Sequence, residues 1–227
     1  MRVLAIDTAL EACAAAVLDT GAGAVLAHES AVMQRGHAEA LMPLIARVME
    51  RARSTFTEID RVAVTTGPGS FTGLRVGIAA ARGIALASGK PAVGITTLAA
   101  YAAPLIAADD SAPVVAAIDA RHDHVYLQVF GPGGRTLVSP RLLPLREALR
   151  VAATGAPRVV GTAATTLAAS WPPGERPPRT VEQRMAPDIA WVARLGALAA
   201  DTGAAVKPLY LRAPDAQPQD ASQLARR

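Results

Sequence analysis

The chain has 227 residues, with 23 Lys+Arg against 19 Asp+Glu and a formal charge of +4. Half of it is hydrophobic (51%), which excludes disorder, and its 18 glycines follow no collagen-like period. The basic side consists of 21 Arg and two Lys with no basic run, so charge alone does not point to a nucleic-acid-binding face.

Residues 3–6 read as a buried strand ended by Asp7, followed by a second apolar run at 13–18 and a short third strand at 25–27. Thr8-Ala9-Leu10-Glu11 is short enough for a hairpin between the first two. Leu41, Leu44, Ile45, Val48 and Met49 then follow helical spacing, with Pro43 marking the expected start of the regular helix. A strand at 61–66 runs into a glycine-rich loop, and a helix over 72–87 follows, stopped by Gly89. A strand at 92–95 and a helix at 96–108, kinked or ended near Pro104, complete the first half.

The second half repeats the style. Strands are expected at 114–118, ending at Asp119, and at 125–130, the two pairing as a hairpin, with a third at 136–138. A helix at 145–153, a strand at 158–160, a Pro-rich loop at 172–187 and a helix at 189–200 capped by Asp188 follow. The reading is α/β, two units in tandem: 1–108, a smaller 109–212, and a flexible tail at 213–227.

Of the apolar residues, 51 are Ala, so the core depends on close backbone approach as well as on Leu, Val and Ile. Cys13 has no partner in the chain and lies in an apolar run, which suits a buried thiol. Met1-Arg2 followed by Val3-Leu4-Ala5-Ile6-Asp7 is too short for a secretory leader. The longest uncharged stretch, 91–108, carries Pro91 and Pro104 and does not read as a membrane span. The expected location is cytoplasmic, with no membrane partner.

Thr66-Gly67-Pro68-Gly69-Ser70-Phe71-Thr72-Gly73-Leu74-Arg75-Val76-Gly77 is the most informative segment. It joins a strand to a helix, where free backbone N–H groups attract anions. It lacks the Lys of a Walker A loop and the third glycine of a dinucleotide fingerprint. Two readings stay open: a tight turn whose Gly73 and Gly77 allow close packing, or a loop that meets phosphate or a partner protein. No His-Glu-x-x-His, Gly-x-Ser-x-Gly or Cys–His pattern supports a peptidase.

The Gly67–Gly77 loop closely resembles the signature of the bacterial TsaB (YeaZ-like) family. Leu4-Ala5-Ile6-Asp7-Thr8, Arg35-Gly36-His37-Ala38-Glu39-Ala40-Leu41-Met42-Pro43, Lys90-Pro91-Ala92-Val93-Gly94-Ile95-Thr96-Thr97-Leu98, Asp119-Ala120-Arg121 with Val125-Tyr126, and Pro208-Leu209-Tyr210-Leu211-Arg212 are similar to further family segments, the last to its closing strand. The resemblance is dense over 1–130 and thin over 131–205. It implies two tandem ribonuclease-H-like domains of the actin/Hsp70/sugar-kinase fold. It also implies a non-catalytic subunit that binds and activates the catalytic TsaD, together with the ATPase TsaE. That assembly makes threonylcarbamoyladenosine beside the anticodon of tRNAs reading A-starting codons. The implied partners are TsaD directly, TsaE within the complex, a second copy as an alternative, and tRNA through the complex. No cofactor is expected to bind this chain tightly, and ATP or ADP is a candidate ligand of the assembled complex only. The competing reading is an independent kinase or ATPase of the same fold.

The catalytic relative carries a His-x-x-x-His metal motif; here His37 is followed four residues on by Leu41, so no metal is expected there. His122 and His124 could share one strand face, but no third ligand is evident, and His28 is isolated. Asp7, Thr8, Gly67, Gly69, Ser70 and Asp119 form a candidate vestigial nucleotide or loop site. His37, Leu41, Leu44, Ile45, Val48, Gly73, Arg75, Gly77 and Ala81 form a candidate partner interface, with Gly73, Gly77 and Ala81 spaced to line one smooth helix face. On that reading Leu44→Asp or Gly77→Leu abolishes partner binding and leaves the fold intact; the competing reading of these faces is core.

Overall fold

Residue 2 to residue 19 forms an antiparallel hairpin because two apolar runs are separated by four turn residues: β1 (Arg2–Asp7) pairs with β2 (Ala12–Asp19). In this computed structural model, which describes residues 1–153 and 155–212, that hairpin starts a five-stranded sheet. β3 (Ala24–Val32), α1 (His37–Arg51), β4 (Arg61–Gly67), α2 (Phe71–Ser88), β5 (Ala92–Thr96) and α3 (Thr97–Ala108) follow. The strand order is β3-β2-β1-β4-β5, with β4 and β5 parallel to β1.

The second half repeats the plan. β6 (Val114–Asp119), β7 (His124–Phe130), β8 (Thr136–Pro144), α4 (Leu145–Ala152), β9 (Arg158–Gly161), α5 (Ala164–Ala169), β10 (Thr180–Gln183) and α6 (Ile189–Leu198) form a sheet of order β10-β9-β6-β7-β8. Read from β8 to β10, this is the first sheet's order again. β10 occupies the place of β5 and α5 that of α2, so the second unit is a shortened copy of the first.

Each sheet is covered on both faces, and this is where the alanine-rich core works. One face of the first sheet packs Leu4, Ile6 and Val64 against Leu41, Leu44, Ile45 and Val48 of α1 and Ile78 and Ala81 of α2. The other face packs Val3, Ala5 and Ala63 against Ile189, Val192 and Ala193 of α6. In turn α3 sends Leu98, Tyr101 and Leu105 onto Val114, Ala116 and Ile118 of the second sheet. The halves therefore exchange their last helices. A division at 108/109 places α6 in the second unit, whereas its apolar face lies on the first sheet.

Close approach makes the exchange possible. A Cβ on Gly196 would collide with the Ala63 side chain, so α6 lies nearly backbone-on-strand. Arg61 at the start of β4 then caps the helix, donating to the carbonyls of Gly196 (3.0 Å), Ala197 (3.3 Å) and Ala199 (2.6 Å). These are end-of-helix carbonyls that have no intrahelical partner. Arg158, almost buried, does a related job on α3, donating to the Leu105 carbonyl at 2.7 Å and to that of Ala112 at 3.3 Å.

Several expectations change. α1 begins at His37, six residues before Pro43, and runs through that proline; α3 likewise runs through Pro104. The Pro-rich stretch at 172–187 contains β10, which pairs parallel with β9 through Thr180↔Arg158 to Gln183↔Gly161. α5 goes unread in the sequence, and β3 and β8 are longer than the three residues assigned to each. Residues 208–212 do not form a strand, although Leu209 N–H donates to the Thr66 carbonyl at 2.7 Å. The tail expected at 213–227 lies outside the described residues.

Candidate functional site

The glycine loop leaves the C-terminal end of β4 and seats directly on the β1–β2 hairpin. Ser70 N–H donates to the Ala9 carbonyl at 2.7 Å, and the Thr8 hydroxyl donates to the Gly73 carbonyl at 2.7 Å. A Cβ on Gly69 would strike the Ala9 carbonyl, one on Gly73 the Thr8 carbonyl, and one on Gly77 the Thr8 hydroxyl. These glycines are required because hairpin and helix touch there. Ser70 caps α2, its hydroxyl accepting from Gly73 N–H at 3.3 Å. The packing reading holds on the inward side of Gly69, Gly73 and Gly77, while Ser70, Phe71 and Arg75 of the same segment are exposed. The Cβ directions of Gly69, Gly73 and Gly77 are filled by Thr8 and Ala9 of the hairpin.

Asp7 lies beneath this contact, fully buried. One carboxylate oxygen accepts from Ala9 N–H at 3.0 Å and from the Thr65 hydroxyl; the other is buried without a partner. Burial holds this carboxyl above its ordinary pKa, opposed by the bonds from Thr65 and Ala9 and by the nearby His37. Asp119 is its counterpart in the duplicated unit and makes the same turn, accepting from Arg121 N–H at 2.8 Å, but it is exposed. Arg121, His122 and Asp123 after it are all left-handed. Between the units lies a cleft of about 750 Å³, whose walls include His37, Gly69, Ser70 and Asp119. The candidate nucleotide set thus divides: Gly69, Ser70 and Asp119 line the cleft, while Asp7, Thr8 and Gly67 are buried.

His37 opens α1, half-buried, with Nε2 3.1 Å from the Leu10 carbonyl. His124 Nδ1 lies 2.6 Å from the His122 carbonyl. Among the described residues no three His, Cys, Asp or Glu gather where they could hold a metal ion. Cys13 is buried in the core, and desolvation pushes its thiol up to about 11, far from a reactive thiolate. No helix among the described residues is long and apolar enough to cross a membrane.

The candidate interface requires correction. Leu41, Leu44, Ile45 and Val48 are at most 1% exposed and form the core beneath the helices. Gly73, Gly77 and Ala81 are buried as well, against Thr8 and β4. Leu44→Asp would bury a charge and Gly77→Leu would collide with Thr8, so neither can leave the fold intact. Only Arg75 of the α2 residues in that set faces solvent. The surface the helices do offer is on the other side. Met42 of α1, Phe56, and Ala80, Gly83, Ile84 and Ala87 of α2 line an apolar groove of about 420 Å³. Met42 and Phe56 are 48% and 39% exposed, which is unusual for side chains of that size.

Comparison with known proteins decides the family. A family model described as TsaD, tRNA N6-adenosine threonylcarbamoyltransferase, matches residues 25–181. The chain belongs to this family, and within it is TsaB/YeaZ-like. It is 40% identical over 126 residues to the Escherichia coli protein named tRNA threonylcarbamoyladenosine biosynthesis protein TsaB, covering 56% of this chain and 53% of that one. This chain thus spans about half the length of its TsaB-named relatives in E. coli and Haemophilus influenzae (53% and 52%). An uncharacterized protein of Mycobacterium tuberculosis is 34% identical over 221 residues, 95% of this chain and 94% of its own length. YeaZ from Pseudomonas aeruginosa superposes with a TM-score of 0.77 at 29% identity, over 92% of this chain and 99% of YeaZ. A polyphosphate/ATP-glucomannokinase from Arthrobacter shares the fold alone (TM-score 0.52, 15% identity, 87% and 98% coverage). The TsaB/YeaZ-like chain is therefore a tandem actin-like, ribonuclease-H-like protein, as its duplicated sheets indicate.

Proposed function

We propose that this chain is a non-catalytic subunit in the synthesis of threonylcarbamoyladenosine on tRNA. It acts by docking on the catalytic TsaD subunit, with TsaE joining the assembly. The likeness to proteins named for threonylcarbamoyladenosine biosynthesis supports the pathway. The observation that supports the non-catalytic role is the seating of Gly69, Gly73 and Gly77 on Thr8 and Ala9, which makes the glycine loop a packing joint between hairpin and helix. Chemistry then belongs to the partner, and tRNA and nucleotide are engaged through the complex.

The groove between α1 and α2 is the docking face in this reading. It is apolar, exposed and built on two rigid helices, and Ala80, Gly83 and Ala87 let another helix approach closely. Gly83 supplies a clean test, because a Cβ there meets nothing within 4 Å of its own chain. Gly83→Leu keeps the fold and fills the groove. Titrating the variant against purified TsaD should show at least a tenfold loss of affinity with unchanged circular dichroism. Wild-type affinity in that variant would contradict docking at this groove.

A further inference from the structure

The exposed arc of α2 has two flanks. One is the groove with α1; the other meets the C-terminal segment 206–212, which crosses the ends of β4 and β5. Val206 packs over Gly94, Leu209 N–H bonds to the Thr66 carbonyl, and Arg212 donates to the Ala120 carbonyl of the second unit at 3.1 Å. This strap carries Tyr210 to the first turn of α2. The Tyr210 and Phe71 rings stack with centroids 5.3 Å apart, the Arg75 guanidinium lies 3.7 Å over the Phe71 ring, and Arg75 Nε donates to the Tyr210 hydroxyl at 3.3 Å.

Three residues from two segments thus form a fixed cluster that remains in solvent. Phe71 and Tyr210 are 44% and 43% exposed, and Arg75 has no carboxylate partner among the described residues. Stacking a Phe on a Tyr under a guanidinium orders all three side chains in advance, so a partner would not have to order them on binding. Aromatic residues and Arg are also the types that dominate binding energy at interface centres. On α2, Phe71 and Arg75 share the exposed arc with Ala79, Arg82, Gly83 and Leu86, so the cluster is continuous with the groove.

We propose that the Phe71–Arg75–Tyr210 cluster is a second contact point for the same protein partner, making residues 208–212 part of the docking surface. The inference rests on the reading that the partner covers the outer face of α2. The partner surface that fits presents a carboxylate to Arg75 beside an apolar or planar side chain for the two rings. The strap holds the loop from inside the chain and offers its outer ring to the partner.

Isothermal titration of the full chain with TsaD tests this, using Arg75→Glu, Tyr210→Ala, Tyr210→Phe and Gly83→Leu. Arg75→Glu and Tyr210→Ala should each weaken binding at least tenfold, and Tyr210→Phe less than threefold. The wild-type affinity should fall with added salt more steeply than that of Arg75→Glu. Hydrogen exchange at Leu209 shows whether the strap stays seated. Should Tyr210→Ala release it, Arg75→Glu decides: loss of binding supports the contact and retention overturns it. Loss in Gly83→Leu with retention in both cluster variants overturns this inference and leaves the groove reading standing. Retention in all of them overturns both. If the cluster variants weaken only self-association, measured by sedimentation, the occupant is a second copy and the proposal is wrong.

Discussion

The Thr8 hydroxyl donates to the Gly73 carbonyl at 2.7 Å, joining residues 65 positions apart in the chain. It links the turn of the first hairpin to the first turn of α2. Gly77, one turn further on, faces the same threonine. The small-residue stripe of α2 is therefore turned inward and lets a helix lie on a hairpin. The docking face proposed above is on the other side of the same helix, around Gly83.

Two alanine substitutions in that one helix should have opposite effects. Gly77→Ala places a methyl inside contact distance of the Thr8 hydroxyl, and overpacking of this kind costs about 1–3 kcal/mol. Gly83→Ala meets open space and should gain about 0.5–1 kcal/mol from the lower flexibility of Ala in the unfolded chain. Urea unfolding of the two variants beside wild type checks the sign of each.

Arg61 is expected to matter more for α6 than for its own strand. Its guanidinium serves three carbonyls at the end of that helix. Arg61→Leu should lower stability by about 2 kcal/mol, the scale of charged hydrogen bonds lost from a partly buried site. Hydrogen exchange should quicken first along 189–198 and only then in β4. Uniform quickening across both sheets would contradict the capping role.

Asp7 should give the protein a pH dependence of stability opposite to that of an ion-paired carboxylate. Its folded pKa is raised by burial above the ordinary 3.8. Between those two values the folded chain binds more protons than the unfolded chain, so its contribution is fully present at low pH and is lost as pH rises through the window. Asp7→Asn retains an acceptor for Ala9 and Thr65 without the titration. The stability of wild type relative to Asp7→Asn should therefore fall on going from pH 4 towards neutrality. Parallel stability curves would show that Asp7 does not titrate differently in the folded state.

Much of the fold is legible in the sequence because buried strands are short apolar runs: 3–6, 13–18, 62–64 and 114–118 all lie in strands. The elements that escape notice have no such signal. β10 is Thr-Val-Glu-Gln, mostly exposed, and exists because β9 offers it a parallel edge. α5 is six residues of Ala, Thr and Leu with no room for a period. Pro43 suggests a late start for α1, yet tertiary packing of Leu41 and Leu44 outweighs the one backbone bond it removes. The site is harder to read for a different reason. An apolar stripe at helical spacing looks the same whether it faces a core or a partner, so Leu41 to Val48 pointed inward while Met42 and Gly83, which break the pattern, form the groove. The clustering of Phe71, Arg75 and Tyr210 depends on a contact across 135 residues that no local pattern announces.

The most direct measurement is a reconstitution. Threonylcarbamoyladenosine formed on tRNA is quantified by mass spectrometry of nucleosides, with purified TsaD, TsaE, threonylcarbamoyl adenylate and ATP, with and without this chain. The account predicts product only when TsaD and this chain are both present, none from this chain alone, and a strong loss with Gly83→Leu. Full product formation without this chain, or turnover by the isolated chain, would contradict it.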